Sequence, residues 1–185
     1  MKNWLLALSS LCARAIDTVP RTCGVVTAFM EEYFAFIQDT VDDDDAIRRG
    51  TDELLIRGCI RAYHDFLDHS PTSDISQAVQ IAVNTRYLAD ACVFFERYAA
   101  TLNTGRMAIS TMVARDRFQD VRKKAEDCIF ELVERKVASF MAEAASMSWT
   151  PSHLTAGPAD YIQDLVLFLE TKFAVLANLA GPVRE

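Results

Sequence analysis

The chain is poor in the residues that interrupt regular structure, with 6 glycines and 5 prolines among 185 residues. No segment alternates apolar and polar residues with period 2, which removes the support for a β-sheet and favours an all-helical fold. There is no basic run, and the formal net charge is −7. That balance counts against nucleic acid or an anionic bilayer as the main partner and suits a basic protein partner or plain solubility. No apolar run approaches the roughly 18–20 residues needed to cross a bilayer. Cys-x-x-Cys pairs are also missing. Cys12, Cys23, Cys59, Cys92 and Cys128 are odd in number and widely spaced. Cys92 and Cys128 fall on apolar stripes, so the cysteines read as reduced core thiols in a reducing cytosol.

The residues for chemistry are equally thin. His64 and His69 are five apart, about 140° around a helix, and do not share a face for a metal. A Glu-x-x-His pair, a phosphate-cradling glycine loop, a G-x-S-x-G elbow and H-E-x-x-H are all absent. The aspartates Asp42 to Asp45 lack the spacing of a calcium loop and read as the start of a helix, where carboxylates accept orphan amide hydrogens. No catalytic residue, cofactor or metal is expected.

Helices are what remain. From Arg106 to Ser148 the chain contains neither glycine nor proline. Phe118, Val121, Ala125, Cys128/Ile129, Leu132, Val133, Val137, Phe140 and Met147 recur there in steps of three and four, the stripe of one helix. Asp120–Lys124 and Glu131–Arg135 are acid-before-base pairs on its charged face. If wholly helical, this strut spans roughly 60 Å. Before it stand four more helices. The first covers about Trp4–Asp17. The second begins near Thr22 and turns Val26, Phe29, Met30, Tyr33, Phe36 and Ile37 to one side. The third runs from Asp44 to His69, with Gly50 and Gly58 permitting close approach. The fourth opens at a capping box of Asp74 and Gln77 and buries Ile75, Val79, Val83, Tyr87, Leu88, Ala91, Cys92, Phe95, Tyr98 and Leu102, with Gly105 ending it. A last helix starts near Asp160, carries Ile162, Leu165, Phe168, Leu169, Phe173 and Leu176, and stops around Gly181-Pro182. The expected fold is all-α, an elongated rod of about six antiparallel helices, one of them very long. It forms a single helical segment over residues 1–185, with subdivision near 103–106 and 150–158.

One feature points elsewhere. Met1-Lys2-Asn3, the apolar Trp4 to Leu8 and Ala13-Arg14-Ala15 imitate a secretory signal with its cleavage site. A secreted helical bundle is therefore an alternative, as is a helical enzyme of unknown chemistry.

Three blocks in order carry a resemblance. The first is Gln77 to Thr85, continuing to Leu88, Ala91 and Cys92. The second is Phe118-x-Asp120-x-Arg122-x-x-Ala125-Glu126-x-x-Ile129-Phe130-Glu131-Leu132, followed by Lys136, Phe140 and Trp149-Thr150. The third is Tyr161-Ile162-x-Asp164-Leu165-x-x-Phe168-Leu169, ending in Phe173 and Asn178-Leu179. From about Val19 onward the chain resembles the C-terminal half of the Sec-fifteen subunit of the exocyst. The segment with Arg48-Arg49-x-Thr51-x-x-Leu54-Leu55 fits in the same order. The resemblance implies a stack of helical bundles in a complex that tethers secretory vesicles to the plasma membrane. It also implies a Rab-type GTPase in its GTP form and other exocyst subunits as partners, with membrane association through those partners only. The expected location is the cytoplasm, with recruitment to secretory vesicles and plasma-membrane sites of secretion. Large aromatics outside the core stripes, Phe34, Phe94 and Phe130, are the candidate partner-binding residues.

Overall fold

The computed structural model describes residues 1–12, 18–38, 43, 45–69, 75–102, 111–146 and 160–180, and every element among them is helical. The elements are α1 (Lys2–Cys12), α2 (Val19–Ile37), α3 (Ala46–Leu55), a π-helical turn (Ile56–Ile60), α4 (Arg61–His69), α5 (Ile75–Leu102), α6 (Val113–Ser146) and α7 (Asp160–Ala180). Because α3, the π turn and α4 follow one another without a break, they make one rod, and the all-α reading with six rods is correct.

Two apolar cores organise the bundle. The larger joins α1, α2, the α3–α4 rod, α5 from Ile81 to Ala99 and the N-terminal half of α6. At its centre are Leu8, Met30, Ile47, Leu54, Tyr63, Leu88, Phe95 and Phe118, each fully buried. The smaller core holds Ile75, Ala78, Val79, Ile129 and Leu132, with Phe168, Val175, Leu176 and Leu179 packed against it. Residues 103–106 and 150–158, where a subdivision was expected, lie outside the described residues.

Helices α5 and α6 run antiparallel, because Glu96 meets Met112 at one end and Ile75 meets Leu132 at the other. Helix α7 lies parallel to α5, as Phe168 shares a groove with Ile75 while Leu179 receives a hydrogen bond from Arg86. That guanidinium donates to the Leu179 carbonyl at 3.2 Å, placing a cation at the negative end of α7.

Close approach explains the two glycines of the third rod. A Cβ on Gly58 would stand 2.9 Å from the Leu8 Cβ, and one on Gly50 would stand 2.6 Å from the Tyr33 ring. The backbone of α1 therefore docks on the π turn, where Ser9 Oγ also donates to the Gly58 carbonyl at 3.3 Å. Leu8 and Cys12 are core residues, so the signal-like segment over Lys2–Cys12 is an element of the fold. Ala13 to Ala15 lie outside the described residues.

Several boundaries and faces differ from the periodicity reading. Helix α2 begins at Val19 with Pro20 in its first turn, where the missing N–H costs nothing. Phe36 is 75% exposed, whereas Val26, Phe29, Met30 and Ile37 are buried. Tyr87 is turned outward and Cys128 is half-buried. The third rod is interrupted by the π turn rather than being α-helical throughout. Asp45 does not cap α3 with its side chain. Instead it pairs with Arg48, while Asp43 accepts the Asp45 amide and pairs with Arg49. Lys124 reaches Asp68 of α4 at 2.5 Å, not Asp120, which faces Arg117 at 3.8 Å. Asp42, Asp44, Pro71, Asp74, Gly105, Met147, Gly181 and Pro182 fall outside the described residues.

Candidate interaction surfaces

The strut is shorter than its glycine- and proline-free stretch. Thr111 and Met112 are not helical and α6 opens at Val113. Its 34 residues span about 51 Å. What starts the helix is a carboxylate from a different element. Asp52 of α3 accepts the amides of Val113 at 3.2 Å and Ala114 at 2.8 Å, and Glu96 of α5 accepts the Met112 amide at 2.7 Å. Arg48 holds the arrangement by donating to Asp52 at 3.1 Å and to the Thr111 carbonyl at 3.2 Å. Orphan amides at a helix start need such acceptors. Burial raises the Asp52 carboxyl above the ordinary aspartate value, against the lowering effect of the two amides and Arg48. This junction ties α3, α5 and the α6 N-terminus together and sets the direction in which the strut leaves the main core.

The rest of the strut and α7 present the surfaces. Among the described side chains of α7 none is fully buried. Its Phe168, Val175, Leu176 and Leu179 lean on the smaller core, while Ile162, Val166, Leu167 and Phe173 are exposed. A two-sided apolar helix with only one side covered is an unfilled packing surface.

The three candidate aromatics are placed apart. Phe34 is half-buried against the larger core and contributes packing there. Phe94 is 53% exposed on α5, stacked on Tyr98 with ring centroids 5.8 Å apart. Tyr98 in turn donates its hydroxyl to Glu31 of α2 at 2.6 Å, which raises the phenol's pKa and fixes the ring pair. Phe130 is 79% exposed on α6. In the antiparallel register Phe130 lies level with residue 77 of α5, roughly 25 Å along the axis from Phe94. They are two separate contact points, not one patch.

A groove of about 500 Å³ opens between α5, α6 and α7, lined by Ile75, Leu132, Arg135, Lys136, Ser139, Phe168 and Lys172. The Lys136 ammonium sits 4.6 Å from the Phe140 ring centroid, and Phe140 packs on Phe168 with centroids 6.0 Å apart. A smaller hollow of about 340 Å³ near the chain start is lined by Met1, Trp4, Phe29, Glu32, Tyr33 and Phe36.

The cysteines form no nucleophilic site. Cys59 is held well above the usual thiol value by its contact with Cys12 and by burial, and burial pushes Cys92 up to about 12. Cys12 is lowered by the hydrogen bond from Cys59, but it is 1% exposed. A low thiol pKa supports reactivity only where reagents reach it. Among the described residues no group of three or more His, Cys, Asp or Glu is arranged to hold a metal, and no helix is long and apolar enough to cross a membrane.

The family model for the exocyst complex subunit Sec15 C-terminal region matches residues 17–185. The chain belongs to that family. Exocyst complex component 6B of Mus musculus is 25% identical over 176 residues, covering 91% of this chain and 22% of the relative. Exocyst complex component SEC15B of Arabidopsis thaliana is 28% identical over 158 residues, covering 83% and 20%. Exocyst complex component 6 of Dictyostelium discoideum is 24% identical over 182 residues, covering 90% and 17%. The chain thus spans about a fifth of the length of these relatives. No solved structure gives a significant match.

On this exocyst-family segment the three sequence blocks fall on α5, α6 and α7, the helices that form the smaller core and its groove, except Trp149-Thr150, which lie outside the described residues. Asp52, Glu96 and the basic groove were not foreseen from sequence. Glu96 carried a signal, since it lies between the core positions Cys92 and Ala99 on one face of α5. A carboxylate on a buried stripe needs a partner, and the partner here is the Met112 backbone amide, just before α6 begins.

Proposed function

We propose that this chain is a non-enzymatic part of an exocyst vesicle-tethering subunit. It acts in exocytosis as a scaffold and as an effector of a GTP-loaded Rab-type GTPase. Family membership over residues 17–185 is the observation that carries this reading. Its partners are other exocyst subunits and the GTPase, and its membrane association runs through them alone. It works in the cytoplasm, recruited to secretory vesicles and to plasma-membrane sites of secretion. The mechanism is presentation. Helices held by the Asp52–Glu96 junction offer exposed side chains, and switch loops ordered by the γ-phosphate select the active GTPase. Phe94 and Phe130 are the proposed contacts on the surface. Phe34, half-buried on α2, is the third proposed contact.

The test is a pull-down of Rab-type GTPases in both nucleotide states with this chain and with a C-terminally extended version. Retention of the GTP form alone is expected. An exposed aromatic anchor is worth about 2 kcal/mol, so Phe94→Ala or Phe130→Ala weakens binding roughly 30-fold at unchanged helicity. Equal capture of both nucleotide states overturns the effector role, and unchanged binding by both variants overturns the assigned contacts.

A further inference from the structure

We infer that the groove between α5, α6 and α7 receives an acidic amphipathic helical segment of a partner protein, a site distinct from the proposed GTPase contacts. Its floor is apolar, built from the buried Ile75 and Leu132 and the half-buried Phe168. Its rim carries Arg135, Lys136 and Lys172, and no carboxylate lines it among the described residues. On a chain of net charge −7, Lys136 and Lys172 set a cationic rim beside one apolar floor. An apolar anchor flanked by Asp or Glu complements that pattern in both respects.

The dimensions fit a short helix. From Leu132 to Ser139 the α6 wall of the groove is two turns long, roughly 10 Å. The rim is partly preorganised, because Lys136 is held over the Phe140 ring and Phe140 is held against Phe168. The chain's own connector does not match, since residues 147–159 contain no Asp or Glu. An anionic bilayer matches less well than a peptide, because the net negative charge of the whole chain repels an extended anionic surface but only weakly opposes a short segment.

The probe is a fluorescein-labelled helical peptide with Leu and Phe at i, i+3, i+4 and i+7 and Glu on the flanking positions. It is titrated onto the full chain by anisotropy. Saturable binding below about 1 mM is expected, with affinity falling as salt rises. Joint reversal by Lys136→Glu and Lys172→Glu weakens it at least about tenfold. Ser139→Trp, which fills the groove without changing charge, does the same. Both variants keep the parent melting profile, since the three side chains lie at the rim. Absence of saturable binding overturns the inference, as does equal binding of a Lys-for-Glu peptide. If vesicles with phosphatidylserine bind and the same substitutions abolish that, the ligand is lipid and the inference fails. Capture of the GTP-loaded GTPase is unaffected by these substitutions, and its loss would put the GTPase in the groove instead.

Discussion

Replacing Asp52 by alanine removes the carboxylate that accepts the first two amides of α6, at 3.2 and 2.8 Å, and takes one carboxylate from Arg48. Arg48 keeps Asp45 and the Thr111 carbonyl, so its loss is partial. Leaving the amides without an acceptor costs about 1–3 kcal/mol each when water is excluded, and the loss of a helix cap costs about 0.5–2. These overlap, and about 3 kcal/mol is the expected total. For a chain of this length that lowers Tm by roughly 6–12 °C. Asp52→Asn keeps one acceptor oxygen and costs less, about 1 kcal/mol. It also removes a titration. Because the folded-state pKa of Asp52 is raised above 3.8, the folded protein takes up this proton before the unfolded chain does. Wild-type stability therefore gains from Asp52 as pH falls from neutrality through that raised value, and the gain is complete below 3.8. Asp43 and Asp68 have lowered values, so their contribution is lost only as pH falls below 3.8 through those values. Thermal melts of the wild type, Asp52→Ala and Asp52→Asn between pH 7 and 4 measure both effects. An alanine variant melting within about 2 °C of wild type, or an asparagine variant whose pH profile parallels wild type, refutes the tertiary cap.

Gly58→Ala destabilises despite alanine's better helix propensity, because its Cβ meets Leu8 at 2.9 Å. Gly24→Ala, with nothing within 4 Å, stabilises by about 0.5–1 kcal/mol, and paired chemical melts read the opposite signs. Glu31→Gln lowers the Tyr98 phenol pKa toward its ordinary value, visible by ultraviolet titration, since the Glu31 hydrogen bond is the main cause of the rise. Asp68→Ala lowers the melting temperature only slightly and the difference shrinks in 1 M salt, because the Lys124–Asp68 pair is exposed and screened by solvent.

Much of the fold was legible because burial on one side leaves a 3.6-residue rhythm. Phe118, Val121, Ala125, Ile129 and Leu132 were read as a stripe and all five are buried. The same rule failed on α5, which is packed by α2, α3, α6 and α7. There Ile81, Ala82, Asn84 and Thr85 are buried as well, while Tyr87 faces outward. A helix surrounded by neighbours buries polar residues that satisfy themselves locally. Thr85 Oγ1 donates within α5 to the Ile81 carbonyl at 2.8 Å, and Gln80 donates to Asn84 at 2.9 Å. On α7 the error ran the other way, since Ile162 and Phe173 are apolar and exposed. Periodicity marks a face that wants covering, not the element that covers it.

Local information alone determined the helical class, the number of rods, the close approach at Gly50 and Gly58, and the family, since spacing, propensity and ordered motifs are all written along the chain. Only tertiary packing decided that α6 begins at Val113, that Phe94 and Phe130 stand apart, and that Lys136 and Lys172 rim an apolar groove. Each depends on groups far apart in sequence meeting across helices. Asp52 and Ala114 are 62 positions apart and 2.8 Å apart in space, and no pattern along one helix encodes that meeting.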